Sequence, residues 1–489
     1  MTSPPVRLPP RIHPLVRSVL SSGGAAGLLA RWGSPLNVLF PEIFAANVAG
    51  FRDELDAAGL RYRICYAHKA SQGRAFVRAA RVAGIGIDVA SPGELDSARA
   101  AGFEAELIEA TGPKGQGFLE ILVHGSGSGV TVNVDNLWEL GELVRLARAS
   151  GRRVPVLVRM CGLGPEDPGR PSRFGVPAAR FGAVTELLSA AGDALDFLGL
   201  SFHLDSAETG DRVRAVDECL RLLEHAWAAG LSPRVLDVGG GFRQAFADSP
   251  GPFGAYGQAV RDGLAGHGPP LTWGGATLGY RYEDGGVRGT LTSAKYAGTA
   301  GGRDSLRDLL AGPLPGQGGR PAGQVLREIM TELWLEPGKA LLDHAGLTLA
   351  SVEFTKEAAD GSVLVNLDIS RDKICPAGQE VMLDPVLIQR SPAPPSAVPV
   401  GVFFAGNLCL ERDMIFNRMT FVSRLPEPGD IVAFVNTAAY QMDLSASAAL
   451  MHRPPAKVAV RTAASGFAAH ADEEEATGDA LPAHHRADR

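Results

Sequence analysis

The chain has 489 residues, 45% of them hydrophobic, more than one compact core holds, so two large domains are expected. Forty-seven basic against 54 acidic side chains leave a formal charge of −7, which gives no basic surface for nucleic acid or acidic membranes. No stretch approaches the roughly 20 apolar residues needed to span a bilayer, no signal-peptide pattern opens the chain, and the five scattered cysteines suit free thiols in a reducing cytoplasm rather than a disulfide frame or a metal site.

Residues 1–34 form an extension rich in Pro, Gly and Ser. A short apolar strand follows at 36–40 and a helically spaced segment at 45–58. Strand-like runs then recur at 62–66, 85–89, 106–110, 130–134, 154–160, 195–203, 235–238 and 333–336. Helically spaced segments such as 137–149 and 213–229 separate them. Eight strands alternating with helices predict a parallel (β/α)8 barrel over 35–345. The long Gly-rich gap at about 245–330 is read as an insertion: a covering flap, an oligomer contact or a neutral addition. From 346 to 464, short strands between turn residues predict a mostly antiparallel β domain, and the polar, acidic stretch 465–489 predicts a disordered tail.

The chemically suggestive residues cluster at strand ends, where barrels of this kind build active sites. Lys69 follows the first barrel strand and Asp88 closes the second; His203 follows the sixth, Gly239, Gly240 and Gly241 the seventh, and Glu336 ends the eighth. Each has a bland reading alone: a surface lysine, a core histidine, a tight turn, a solvated carboxylate. Together they supply what pyridoxal 5'-phosphate requires, namely an amine to hold it, a carboxylate for its ring nitrogen and bare N–H groups for its phosphate.

The chain resembles the fold-type III pyridoxal-phosphate decarboxylases, the group of diaminopimelate, ornithine and arginine decarboxylases, and within it a Y4yA-like branch. The matching stretches are Y-A-H-K-A at 66–70, G-I-D-V-A-S-P-G-E-L at 86–95, S-R-F-G-V at 172–176 and H-L-D-S at 203–206. They continue with L-D-V-G-G-G-F at 236–242, E-P-G-K at 336–339, C-L-E-R-D at 409–413 and T-A-A-Y at 437–440, all in the family's order. The resemblance implies an alanine-racemase-type barrel with a C-terminal β domain. Lys69 would carry the cofactor covalently, with Asp88 and Arg159 beside it. His203 would stack on the ring and Glu336 hold its nitrogen. Ser206, Gly239 to Gly241, Gly338 and Tyr440 would bind phosphate. Cys409 would come from the partner subunit and protonate the substrate carbon, which implies a homodimer with shared active sites. A glutamate at 336, where related racemases place an arginine, favours decarboxylation over racemisation, at Cα of a small-molecule substrate that is an amino acid or amino-acid conjugate. Racemisation, elimination, or a cofactor-binding subunit without activity are the alternatives.

The departures from the family pattern concern the substrate. Asp205 stands where a small residue is usual, and Lys339 replaces an arginine. Leu410 follows Cys409 where an acidic residue is common, and the segment that offers a substrate-gripping arginine begins here with Cys375. Ordinary diaminopimelate, lysine, ornithine and arginine are therefore not favoured. Arg371, Lys373, Glu411 and Arg412 form an alternative set of substrate-reading charges, unless they are a solvated loop.

Overall fold

The computed structural model describes every residue except 1–5, 22, 164–171, 207, 377–378, 392–393, 397, 465 and 474–489. The first strand, β1 (Leu36–Leu39), precedes the barrel in the chain. The barrel strands are β2 (Tyr62–Ala67), β3 (Gly86–Val89), β4 (Ile108–Ala110), β5 (Thr131–Val134), β6 (Val154–Cys161), β7 (Leu195–Ser201), β8 (Val235–Asp237) and β9 (Glu332–Leu335). They are parallel, in the order β5-β4-β3-β2-β9-β8-β7-β6, and pairing of Val132 with Val156 closes the ring. The eight strands expected from the sequence are all present. Helices outside and side chains inside bury both strand faces, so β3 and β5 are buried throughout. The helix after β3 starts with reciprocal caps: Glu94 N donates to Ser91 Oγ at 3.2 Å, and Ala90 N to Glu94 Oε2 at 2.7 Å.

The second domain is a curled, mostly antiparallel sheet. Its strands are β10 (Gly346–Glu357), β11 (Val363–Leu367), β12 (Val386–Ile388), β13 (Val400–Ala405), β14 (Thr420–Val422), β15 (Ile431–Val435), β16 (Ala456–Ala463) and β17 (Gly466–Ala471). Only β1–β16 and β11–β13 pair in parallel among its described strands. β1 lies in this sheet and not in the barrel, with Leu36 paired to both Leu349 and Ala456.

One expectation is corrected here. Of the stretch expected to be a disordered tail, Gly466–Ala471 forms β17 on β16. Asp472 then accepts from Arg74 N at 2.8 Å and Ala75 N at 2.7 Å, capping the helix that follows Lys69. The rest of the expected tail, from 474, lies outside the described residues.

The insertion is a buttress of the second domain. Its helix Gly251–Leu264 and hairpin Tyr280–Glu283/Gly286–Gly289 bring Tyr256, Leu278 and Tyr280 into one core with Val365, Phe404 and Phe416. Trp273 N donates to Asn417 O at 2.9 Å, and Tyr256 Oη to Met419 O at 2.9 Å. Past 300 the segment returns to the barrel wall, where helix Gly302–Ala311 packs on Pro41–Ala57.

Candidate active site

At the C-terminal rim of the barrel a cavity of about 220 Å³ is lined by Lys69, His203, Gly240, Gly241, Glu336, Gly338 and Tyr440, with Asp205, Lys339, Gln379 and Leu444 toward its mouth. Lys69 stands on a single 3-10 turn, His68–Ala70, directly after β2. Its Nζ donates to Asp88 Oδ2 at 3.0 Å, and the other oxygen of buried Asp88 accepts from Thr111 Oγ1. Burial alone would lower Lys69, but Asp88, Glu336 and Tyr440 outweigh it and hold the amine above the ordinary lysine range. Tyr440 takes a left-handed backbone, φ 65, fixed by its N–H donating to Ala70 O at 2.7 Å. Strain of this kind at a bulky residue is kept where the side chain must point to one place.

His203 caps β7 and is held well below the usual histidine range, first by burial, then by the charges of Lys69 and Arg159. It is therefore neutral, and Gly240 N donates to its Nδ1 at 3.2 Å. The three glycines are required sterically. A Cβ on Gly239 would lie 2.4 Å from Phe202 O, on Gly240 2.5 Å from Glu336 O, and on Gly241 2.1 Å from Leu204 O. Gly239 and Gly241 also have positive φ, 66 and 79. At Gly338 a Cβ would meet Ala70 Cβ at 2.9 Å, so glycine lets the turn after Glu336 abut the lysine turn.

Glu336 is buried under the cavity and accepts from Asn133 Nδ2 at 3.3 Å. Burial, then Asp237 and Asp88, push it well above the carboxylate range. Glu109 and Asp237 lie beside it, each with an oxygen within 4.8 Å of the others. Arg159 on β6 rests against the Phe174 ring, 4.7 Å from its centroid, and its charge reaches His203 and Glu336.

Other expected site residues stand elsewhere. Ser206 is not among the residues lining the cavity; its hydroxyl donates to Asp211 Oδ2 at 2.5 Å and accepts from Glu208 N at 3.1 Å. Cys409 is exposed, with Leu410, Glu411 and Arg412, on a loop pinned by Leu408 N donating to Asp413 Oδ2 at 2.8 Å. Two members of the expected substrate-reading set, Arg371 and Lys373, donate to backbone carbonyls. Arg371 donates to Met414 O and to Gln379 O, both at 2.8 Å, and buried Lys373 donates to Arg453 O at 2.9 Å. Their charges hold loops together. Sequence reasoning passed over Glu109, Asn133 and Thr111. A charged residue inside an apolar strand was the one trace of Glu109 in the sequence; its register with Asp88 is seen only in the fold.

The pocket fits pyridoxal phosphate. A lysine, a neutral imidazole and a buried carboxyl share one cavity with a glycine turn in which any Cβ would collide with neighbouring backbone. Comparison with known proteins agrees. Residues 44–272 match the family model described as "Pyridoxal-dependent decarboxylase, pyridoxal binding domain". The chain is 31% identical over 466 residues to "Uncharacterized protein y4yA" of Sinorhizobium fredii, covering 94% of this chain and 95% of that one. It is 26% identical over 452 residues to a diaminopimelate decarboxylase of Halalkalibacterium halodurans, covering 87% and 86%. The crystal structure of diaminopimelate decarboxylase from M. jannaschii in complex with L-lysine shares the fold at a TM-score of 0.65 and 20% identity, with 91% of each chain covered.

Proposed function

This chain belongs to the fold-type III pyridoxal-phosphate-dependent decarboxylases, and we propose that it releases carbon dioxide from Cα of an amino acid or amino-acid conjugate. The observation that carries this reading is the opening of Lys69 and Glu336 into one cavity backed by the Gly240–Gly241 turn. Pyridoxal phosphate, when bound, supplies the sink for the electron pair left at Cα. Lys69 would hold it, and Asp88, 3.0 Å from Nζ, orients the amine. Neutral His203 would lie against the ring without adding a second positive charge, and Arg159 would sit beneath with its charge toward Glu336. The turn Gly239 to Gly241 and Gly338 would cradle the phosphate, with N–H groups from Gly241 and Gly338, since Gly239 N and Gly240 N already donate to Asp237 and His203, and with Tyr440 as the hydroxyl donor inside the cavity. Glu336 would keep a proton at the ring nitrogen, which strengthens the sink and favours decarboxylation over racemisation.

We further infer a homodimer working in the cytoplasm. Five free cysteines suit a reducing compartment, and no described helix is long and apolar enough to cross a membrane. The loop that presents Cys409 outward also presents Leu410, 42% exposed, which suits burial against a second copy. Cys409 of the partner subunit would then deliver a proton to Cα, and Glu411 and Arg412 would travel with it toward the same cavity.

Incubation of the cofactor-loaded protein with pooled L- and D-amino acids and their conjugates, read by mass spectrometry, tests the reaction. A product lighter by carbon dioxide is expected. Racemised substrate, or products formed with the carboxyl group retained, would overturn the reading.

A further inference from the structure

Three carboxyl groups share the barrel interior: Glu109 on β4, Asp237 at the end of β8 and Glu336 just after β9. All are buried, and among them only Glu336 lines the cavity. Glu109 and Asp237 therefore form a layer beneath it. Asp88 on β3 also acts on this layer, and burial together with the layer raises the Cys65 thiol on β2, whereas the cations Lys69 and Arg159 act on Glu336.

The hydrogen bonds of this layer have a definite chemical meaning. Asn133 Nδ2 donates to Glu109 Oε1 at 2.9 Å and to Glu336 Oε1 at 3.3 Å. Ser201 Oγ donates to Asn133 Oδ1 at 2.7 Å, so the amide cannot turn its donors away. Gly239 N donates to Asp237 Oδ1 at 2.7 Å. Glu109 Oε2 and Asp237 Oδ2 are left buried and without a hydrogen-bond partner among the described residues. Two acceptor oxygens buried without a partner are costly, and three neighbouring anions more so. One proton on Glu109 turns an acceptor into a donor and satisfies both atoms at once.

We propose that Glu109 is a positioning residue: it carries a proton, donates it to Asp237, and leaves Glu336 as the carboxyl that exchanges protons with what binds in the cavity. The electrostatics agree. Burial, then Asp237, push Glu109 well above the carboxylate range, while its hydrogen bond to Asp237 works the other way on the aspartate. With Glu109 neutral, Glu336 faces one buried anion in this pair instead of two, so a proton can move between Glu336 and a ring nitrogen near neutral pH. This link to Glu336 rests on the reading of Glu336 given above; the proton on Glu109 does not.

Two variants separate a proton from a charge. Glu109→Gln keeps the size, an oxygen for Asn133 and a donor for Asp237, and so mimics the neutral acid. Glu109→Leu keeps neither. Difference infrared spectroscopy on cofactor-free protein at neutral pH is expected to show a protonated-carboxyl band that E109Q removes. After loading with pyridoxal phosphate, E109L is expected to lose at least about tenfold more turnover than E109Q and to shift the pH midpoint of the cofactor's visible absorption, where E109Q does not. Equal loss in both variants would mean that position 109 supplies a charge, and would overturn the proposal. So would the absence of the band, or a stoichiometric divalent metal in the purified protein. The band present with the absorption midpoint unmoved in both variants would overturn the link to Glu336 while the decarboxylase reading stood.

Discussion

Lys339 Nζ donates to Asp205 Oδ1 across the mouth of the cavity, so two residues that depart from the family pattern neutralise each other. Asp205 alone would set a negative charge beside the glycine turn, and Lys339 lacks the fork an arginine would offer. The side chains are 70% and 20% exposed, so water screens the pair and its worth is at most about 1 kcal/mol. Lys339→Ala is expected to weaken retention of pyridoxal phosphate by about fivefold, and Lys339→Ala with Asp205→Ser by less than the two single effects predict. Equilibrium dialysis against the cofactor measures all three. Strictly additive effects would show that the two charges are not coupled.

Glu336 and Lys69 line the same cavity but should fail differently. Lys69→Ala removes the amine and is expected to abolish the visible absorption of the covalently held cofactor. Glu336→Gln keeps the shape and the contact with Asn133, so cofactor should still bind while turnover falls by about 100-fold or more. Absorption titration and single-turnover kinetics distinguish the two. Normal turnover in E336Q would remove Glu336 from its assigned role.

Two groups, His203 at the cavity and Asp237 in the barrel interior, make stability depend on pH with opposite signs. His203 lies well below its ordinary 6.5, chiefly through burial, so its contribution is present above that pH and lost as pH falls toward the depressed folded value. Asp237 is pushed from 3.8 up to about 6, chiefly by burial, so its contribution is present below 3.8 and lost as pH rises through about 6. Relative to the parent, His203→Gln should therefore gain thermal stability from pH 7 down to 5, and Asp237→Asn from pH 4 up to 7, each by about a few degrees. Melting curves of the three proteins across that range check both slopes. Parallel curves would contradict the assigned shifts.

The barrel was legible because each of its strands announces itself locally, as an apolar run between helically spaced segments. The strand at 36–39 was equally visible, but not its sheet: its partners Leu349 and Ala456 lie hundreds of residues away, and no local pattern names a distant partner. Lys69, His203 and Glu336 could be gathered because they sit where strands end. Glu109 could not, since a single charge in a strand reads as a solvent-facing residue until its register with Asp88 is known. Arg371 and Lys373 are the converse case. Charge in a loop suggests a ligand, yet here backbone carbonyls take both.

The exposed position of Cys409 sets up a test of the shared site. Within one chain the thiol does not line the cavity that holds Lys69. If it acts in the neighbouring subunit, a K69A chain and a C409A chain are each inactive alone but complementary together. Random reassociation makes half of the dimers mixed. Each mixed dimer then has one site with both defects and one with neither, so about a quarter of the parent activity should return. Sedimentation or size-exclusion measurements on the same mixture establish that exchange has occurred. Return of that activity places Lys69 and Cys409 on different chains of one site. Mixed dimers that form and stay inactive would mean that the cysteine serves its own chain or none, and the proton for Cα would have to come from a group already inside the cavity.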